Sequence, residues 1–233
     1  MNNFSILLIF IGSLSLSLTY ILTTFSFIIR IVGALNNINA KSWNLASAIT
    51  LLNSFFIALA LSSIAFFIDS RPSLHLLNYI FLISSLLVCF GHIYMIFKIE
   101  KTVNFIVFIT NIYFSKGLIQ NNKKYKFEFF KFDFFSYVAW IFFMIGFIFP
   151  SFLAVIFNEY RTTLFQLSFI FNSLGTFITI IITDRKASLL SDKSNLTSDE
   201  SLEIINYLSK VIANRLYASL LILLLLIIMF FIL

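Results

Sequence analysis

Charge is what this sequence has least of: Asp, Glu, Lys and Arg make up 11% of its 233 residues, against 60% hydrophobic. A soluble domain draws roughly a quarter of its residues from those four types to keep its surface in water. A soluble globule is therefore excluded. The single cysteine, Cys89, sits inside an apolar run, so no disulfide framework exists, and His75 and His92 are too far apart to nucleate a zinc or haem centre. A Gly-rich phosphate loop, paired carboxylates at membrane depth and a converging Ser, His and Asp set are all missing. The interiors of the apolar runs lack acidic residues, so an acidic proton or ion relay has no members. An enzyme acting on lipid-linked phosphate would need ionisable groups converging at one depth, which the sequence does not display. No cofactor is called for, and no nucleic-acid partner is expected.

What is present is a series of runs free of charge for the roughly 20 residues that a helix needs to cross about 30 Å of hydrocarbon. Residues 4–29, 42–68, 74–97, 134–157 and 162–183 qualify, as does 211–233 apart from Arg215 near its start. They predict an all-α, polytopic membrane helix bundle of six transmembrane helices, one integral domain over residues 1–233. Residues 102–114 are too few to span, and Lys101, Asn104, Asn111 and Ser115 keep mostly helical spacing there. That piece predicts an interfacial amphipathic extension after the third helix. A second extension is expected before the last span, where Thr197-Ser198-Asp199-Glu200 forms a capping-box pattern ahead of Leu202, Ile205, Leu208 and Ile212.

Orientation follows from the basic residues. Arg30 and Lys41 follow the first span, Lys98, Lys101, Lys116, Lys123, Lys124, Lys126 and Lys131 the third, and Arg185, Lys186, Lys193, Lys210 and Arg215 the fifth. Only Arg71 and Arg161 fall on the other side. The positive-inside rule places those three loops in the cytoplasm and both termini outside. The first span is longer than a signal h-region and lacks a small-x-small cleavage site, so it is expected to be retained.

The fifth span carries uncharged polarity to an unusual degree, with Gln166, Ser168, Asn172, Ser173, Thr176, Thr179 and Thr183 between Arg161 and Asp184-Arg185-Lys186. Asn172, Thr176, Thr179 and Thr183 follow 4-3-4 spacing, which puts them on one helical face. Ser13, Ser17, Tyr20 and Thr24 do the same in the first helix, and Asn44, Ser47, Thr50, Asn53 and Ser54 cluster in the second. Ser and Thr can cap carbonyls of their own helix and let helices pack closely, so these stripes suit either a packing surface or a groove. The amides of Asn53, Gln166 and Asn172 demand more partners than lipid supplies. Packed together, the first, second and fifth spans would form a furrow with Arg30, Lys41 and Arg185 at its inner mouth and Arg161 at its outer one. Asp184 with Arg185 and Lys186 could bind a phosphate or a metal-bridged pyrophosphate, but an interfacial ion pair is their expected role, and both histidines are expected to be packed or interfacial rather than catalytic.

Three stretches carry a family likeness. Thr24-Phe25-Ser26-Phe27-Ile28-Ile29-Arg30-Ile31-Val32-Gly33 resembles the T-x-S-Y-x-x-R-x-A-G-like end of the first helix in the Amj family, the alternative lipid II flippases of bacteria. Arg161-Thr162-Thr163, Gln166-Leu167-Ser168, Asn172, Asp184, Ser188 and Asp192 resemble its second signature, and Asn214-Arg215-Leu216 before Ala218 its last. The chain departs from the pattern at 58–62, where ALALS replaces an Arg-bearing motif, at Leu22 or Thr23 in place of an acidic residue, and at Arg185 in place of proline. The resemblance implies a multi-pass protein of the bacterial cytoplasmic (inner) membrane that moves an undecaprenyl-pyrophosphate-linked peptidoglycan precursor between leaflets. On that reading Arg30 and Arg215 recruit pyrophosphate, Gln166 and Asn172 contact the sugar, Arg161 receives the headgroup outside, and Ser17, Tyr20, Thr24, Asn53 and Asp184 line the path. The alternatives are a carrier of another polyprenyl-linked or anionic lipid, and a non-transporting membrane scaffold subunit.

Overall fold

The computed structural model describes residues 3–35, 39–114, 133–191 and 198–232, and among them every regular element is helical. The elements are α1 (Asn3–Leu35), α2 (Asn39–Asp69), α3 (Leu74–Phe97), α4 (Ile99–Phe114), α5 (Phe134–Ile156), α6 (Arg161–Ile178), α7 (Arg185–Ser191) and α8 (Ser198–Ile232). A 3-10 turn (Asn158–Tyr160) precedes α6 and a π-helical segment (Thr179–Asp184) follows it. Lys116, Lys123, Lys124, Lys126, Lys131, Asp192, Lys193 and Thr197 lie outside the described residues.

Among the described residues six segments are long and apolar enough to cross a membrane: Asn3–Gly33, Ser42–Asp69, Leu74–Phe97, Phe134–Ile156, Asn158–Asp184 and Asn206–Ile232. Helices answer the demand that lipid imposes, because each backbone amide must find its partner inside its own segment. Many hydroxyls of the polar stripes are also spent locally. Ser13 donates to the Ile9 carbonyl, Ser17 to Leu14, Thr19 to Ser15 and Thr23 to Thr19. For Ser13 and Ser17, satisfaction within the helix accounts for the residue.

The expected extensions are both present, in different forms. A turn at Lys98 separates α4 from α3, and the sixteen residues of α4 reach only about 24 Å, short of the hydrocarbon thickness. By contrast α8 is continuous over 35 residues, so the last span begins inside a helix that starts at Ser198.

The helices alternate in direction, as cross-bundle contacts show. The Asn78 amide near the start of α3 donates to the Leu226 carbonyl near the end of α8, the Asp133 N–H ahead of α5 reaches the Asn214 amide oxygen, and Trp140 Nε1 donates to Ser219. Closest packing joins α1 to α2, α5 to α6, α3 to α8, α1 to α3 and α5 to α8. One buried apolar cluster, around Ile28, Val103 and Ile212, occupies the basic end; a second, around Phe81, Trp140 and Met144, fills the remainder.

The helix α6 stands apart. Only 11% of its membrane window is buried, against 33–56% for the other five. It leans on α5 at two glycines: a Cβ at Gly146 would meet Asn172 Oδ1 at 2.8 Å, and one at Gly175 would meet the Ala139 carbonyl at 3.0 Å. Close backbone approach of this kind is how membrane helices gain dispersion energy. Replacing Gly146 by Ala is expected to destabilise the protein by about 1–3 kcal/mol, seen as a lower melting midpoint in detergent. At Gly12 the same change meets only ordinary contacts, at 3.6 Å, and is expected to be tolerated.

Candidate functional site

Between the α1–α2 pair and α6 lie two adjoining cavities with α5 as their floor, of about 340 and 230 Å³. They share Thr23, Asn53, Ile57, Phe143 and Thr176, so they form one furrow running along the helices. The smaller cavity is walled by Tyr20, Asn53, Asn172, Ser173 and Thr176 over an aromatic floor of Trp140, Phe143 and Phe147. The larger one continues past Ser26, Thr50 and Thr179 to Arg30, Asp184 and Arg215. The first, second and fifth spans do line a polar furrow. The first two pack on each other, but the third wall stands off, since α6 is seated on α5 and has no extensive contact with α1 or α2 among the described residues.

Two ion pairs bridge that gap. Arg30 Nη1 on α1 lies 3.1 Å from Asp184 Oδ2 at the end of the π segment, and Arg161 Nη1 at the start of α6 lies 3.1 Å from Asp69 Oδ1 at the end of α2. Each ties the α6 span to the α1–α2 pair, at opposite ends of the furrow.

At the basic end Arg215 is the decisive group. It is only 3% exposed, and its guanidinium carbon sits 4.6 Å from the Trp140 ring centroid and 5.2 Å from that of Phe27. Stacking on rings satisfies the guanidinium faces, but Nη1 has no hydrogen-bond partner. Arg30 stacks on Trp43 at 4.6 Å and leaves its Nε unpartnered. Counted by charge, Arg215 belongs with the basic residues that follow the fifth span, although it falls inside the span at 211–233; the structure seats it on a packed helix face. Leu208, Ile212, Arg215, Ser219 and Ile222 recur at helical spacing and are all buried, a signal that placed the arginine on the packed face of α8.

The π segment corrects a second expectation. Asn172, Thr176 and Thr179 do face the furrow, but Thr183 is turned away and buried, with Tyr207 donating to its carbonyl at 3.0 Å. Asp184 takes its place. In an α-helix Asp184 would lie roughly 140° around from Thr179; here the Arg185 N–H reaches the Ile180 carbonyl, five residues back, and the wider turn keeps Thr179 and Asp184 on one face.

Other candidates separate cleanly. Asn53 lines both cavities, and its Nδ2 donates to Thr23 at 3.1 Å while its Oδ1 is unpartnered. Asn172 Oδ1 is likewise unpartnered. Tyr20 reaches the Phe143 carbonyl at 3.2 Å. Thr24 is fully buried, bonded to the Tyr20 carbonyl and to His92 Nε2 at 2.9 Å, and lines neither cavity. His92 is a packed residue, edge-on to Trp140, and His75 packs on Phe230. Gln166 is exposed on α6 and Ser17 is buried in α1; both lie off the furrow, as does Arg161. Trp43 and Trp140, which no motif singles out, are the arginine platforms. Set against protein-family models, curated proteins and solved structures, the chain matches none.

Proposed function

We propose that this protein is a flippase that moves a lipid-linked peptidoglycan precursor, lipid II, from the inner to the outer leaflet of a bacterial cytoplasmic membrane. The observation that carries this reading is the furrow: amides, hydroxyls and two arginines line a gap between α1–α2 and α6, and its lining residues Ser54 and Thr176 remain exposed. A headgroup of sugars and diphosphate finds hydrogen-bond partners along such a path while its polyprenyl tail stays in lipid. Partners are required, because a lone charge at the bilayer centre costs roughly 3 kcal/mol on insertion scales. The likeness of residues 24–33 and 161–192 to the Amj signatures supports the cargo.

In this mechanism Arg30 and Arg215 take the diphosphate at the cytoplasmic end, and Asn53, Asn172 and Thr176 accommodate the sugar. Gln166 has no part in it. Arg161 acts through its bridge to Asp69 rather than as a receiver of the headgroup. The two ion pairs serve as latches: one opens while the other is closed, and α6 rocks on its glycine contact with α5.

Expression in cells depleted of their principal lipid II flippase tests the reading. Growth and outer-leaflet lipid II are expected to be restored. Absence of rescue by a protein confirmed in the membrane would shift the assignment to another polyprenyl-linked anionic lipid or to the scaffold.

A further inference from the structure

The cytoplasmic end of the furrow carries more positive charge than its own carboxylate neutralises. Arg30 and Arg215 both line the larger cavity, and Asp184 is the one acid among its lining residues. Asp184 contacts Arg30 and acts electrostatically on Arg215, so one carboxylate is shared between two guanidinium groups. Buried guanidinium donors without acceptors are costly in a low-dielectric wall, yet Arg215 Nη1 and Arg30 Nε are both in that condition. The Asp184 carboxylate takes its hydrogen bond from Arg30, and Arg215 Nη1 is left without an acceptor.

We propose that this cluster is a diphosphate site held in a closed state by Asp184, which stands in for the ligand and is displaced by it. The inference deepens the flippase reading by naming the group recognised and what regulates access to it. A diphosphate supplies the charge and the fork-matching oxygens that two arginines require. The device for displacement is the π turn. Asp184 faces Arg30 from the end of a segment, Thr179–Asp184, that is wound as a π helix. Rewinding the segment as an ordinary α-helix carries Asp184 off the furrow face and returns Thr183 to it, the arrangement that the sequence period prescribes. Ligand binding and release of Asp184 are then a single event: the diphosphate takes Arg30, the inner latch opens, and α6 is free to move.

The chain's two tryptophans report on it, since Trp43 stacks on Arg30 and Trp140 on Arg215. Purified protein in detergent is titrated with undecaprenyl diphosphate and, separately, with inorganic diphosphate, following tryptophan emission in Trp43→Phe and Trp140→Phe backgrounds. Both reporters are expected to respond to undecaprenyl diphosphate. Asp184→Asn is expected to bind roughly tenfold more tightly, because the internal competitor is gone. Unchanged or weaker binding by folded Asp184→Asn, or no response of either tryptophan in the unsubstituted cluster, overturns the proposal; the second measurement stands even if Asp184→Asn does not fold. Tightening for the lipid alone assigns the site to a headgroup, and equal tightening for inorganic diphosphate assigns it to free phosphate compounds. A failed flippase reading gives the tighter Asp184→Asn binding without any lipid II transport. A failed displacement reading gives transport with unaltered Asp184→Asn affinity.

Discussion

Replacing Arg215 by Gln is expected to lower delivery of lipid II to the outer leaflet by roughly a hundredfold, with no loss of thermal stability. Loss of a buried charged partner to a phosphate costs about 3 kcal/mol of binding, which corresponds to that factor. Stability moves the other way. Arg215 is buried with Nη1 unpartnered, and removing a charge that has to share the Asp184 carboxylate with Arg30 relieves a desolvation cost. The lost stacking on Phe27 and Trp140 offsets part of that gain. The check is a transport assay beside a melting curve in detergent: a midpoint equal to or above that of the unsubstituted protein, with transport gone, marks a residue held for its ligand. A fall in both together would make Arg215 a structural element of α8 instead.

The second large effect is expected at the opposite end. Arg161 and Asp69 join α6 to α2 across the furrow through a single contact on the surface, with side chains 38% and 58% exposed. Exposed pairs of this kind contribute about 0–1 kcal/mol, little enough for a moving part to break in each cycle. Single Arg161→Gln or Asp69→Asn changes are therefore expected to alter transport only a few-fold. A covalent link is a different matter. With Asp69 and Arg161 both replaced by Cys, a short bis-methanethiosulfonate, which forms a disulfide to each thiol with loss of methanesulfinate, is expected to abolish transport, and reductant to restore it. The native Cys89 is buried within α3 and is replaced by Ser to keep the labelling specific. Full transport by protein shown to be cross-linked on a gel would exclude motion of α6 against α2 as the transport step.

The two experiments probe parts of the protein that differed sharply in how far the sequence disclosed them. Arg161 and Asp184 were legible as the charged bounds of a polar span, and the furrow's walls could be anticipated from the stripes on α1, α2 and α6. Asn172 and Thr176 fall where helical periodicity put them, and Asn53 lines both cavities from the polar cluster of α2. Ser17 and Thr24 share that periodicity and lie elsewhere, because a hydroxyl in a membrane helix can be satisfied by its own backbone, as both are. Spacing cannot separate a hydroxyl spent in this way from one available to a ligand. Gln166 shows the limit from the other side: its polarity is as unusual as that of Asn172, but it faces out from a helix that has little packed around it.

Hydropathy by itself determined the number of helices long and apolar enough to cross a membrane, their approximate ends and the short reach of α4. These are local properties, since each span answers to the thickness of hydrocarbon and to the need to pair its own backbone. Tertiary packing decided the rest. The sequence period places Thr183 with Thr179, while the backbone adopts a π turn that seats Thr183 beneath Tyr207 and turns Asp184 toward Arg30. Arg215 could be counted as a cytoplasmic charge until α8 was laid against α1 and α5, where Phe27 and Trp140 enclose it. Both outcomes depend on which helices become neighbours, and a one-residue change of register in a helix is settled by the partner it packs against.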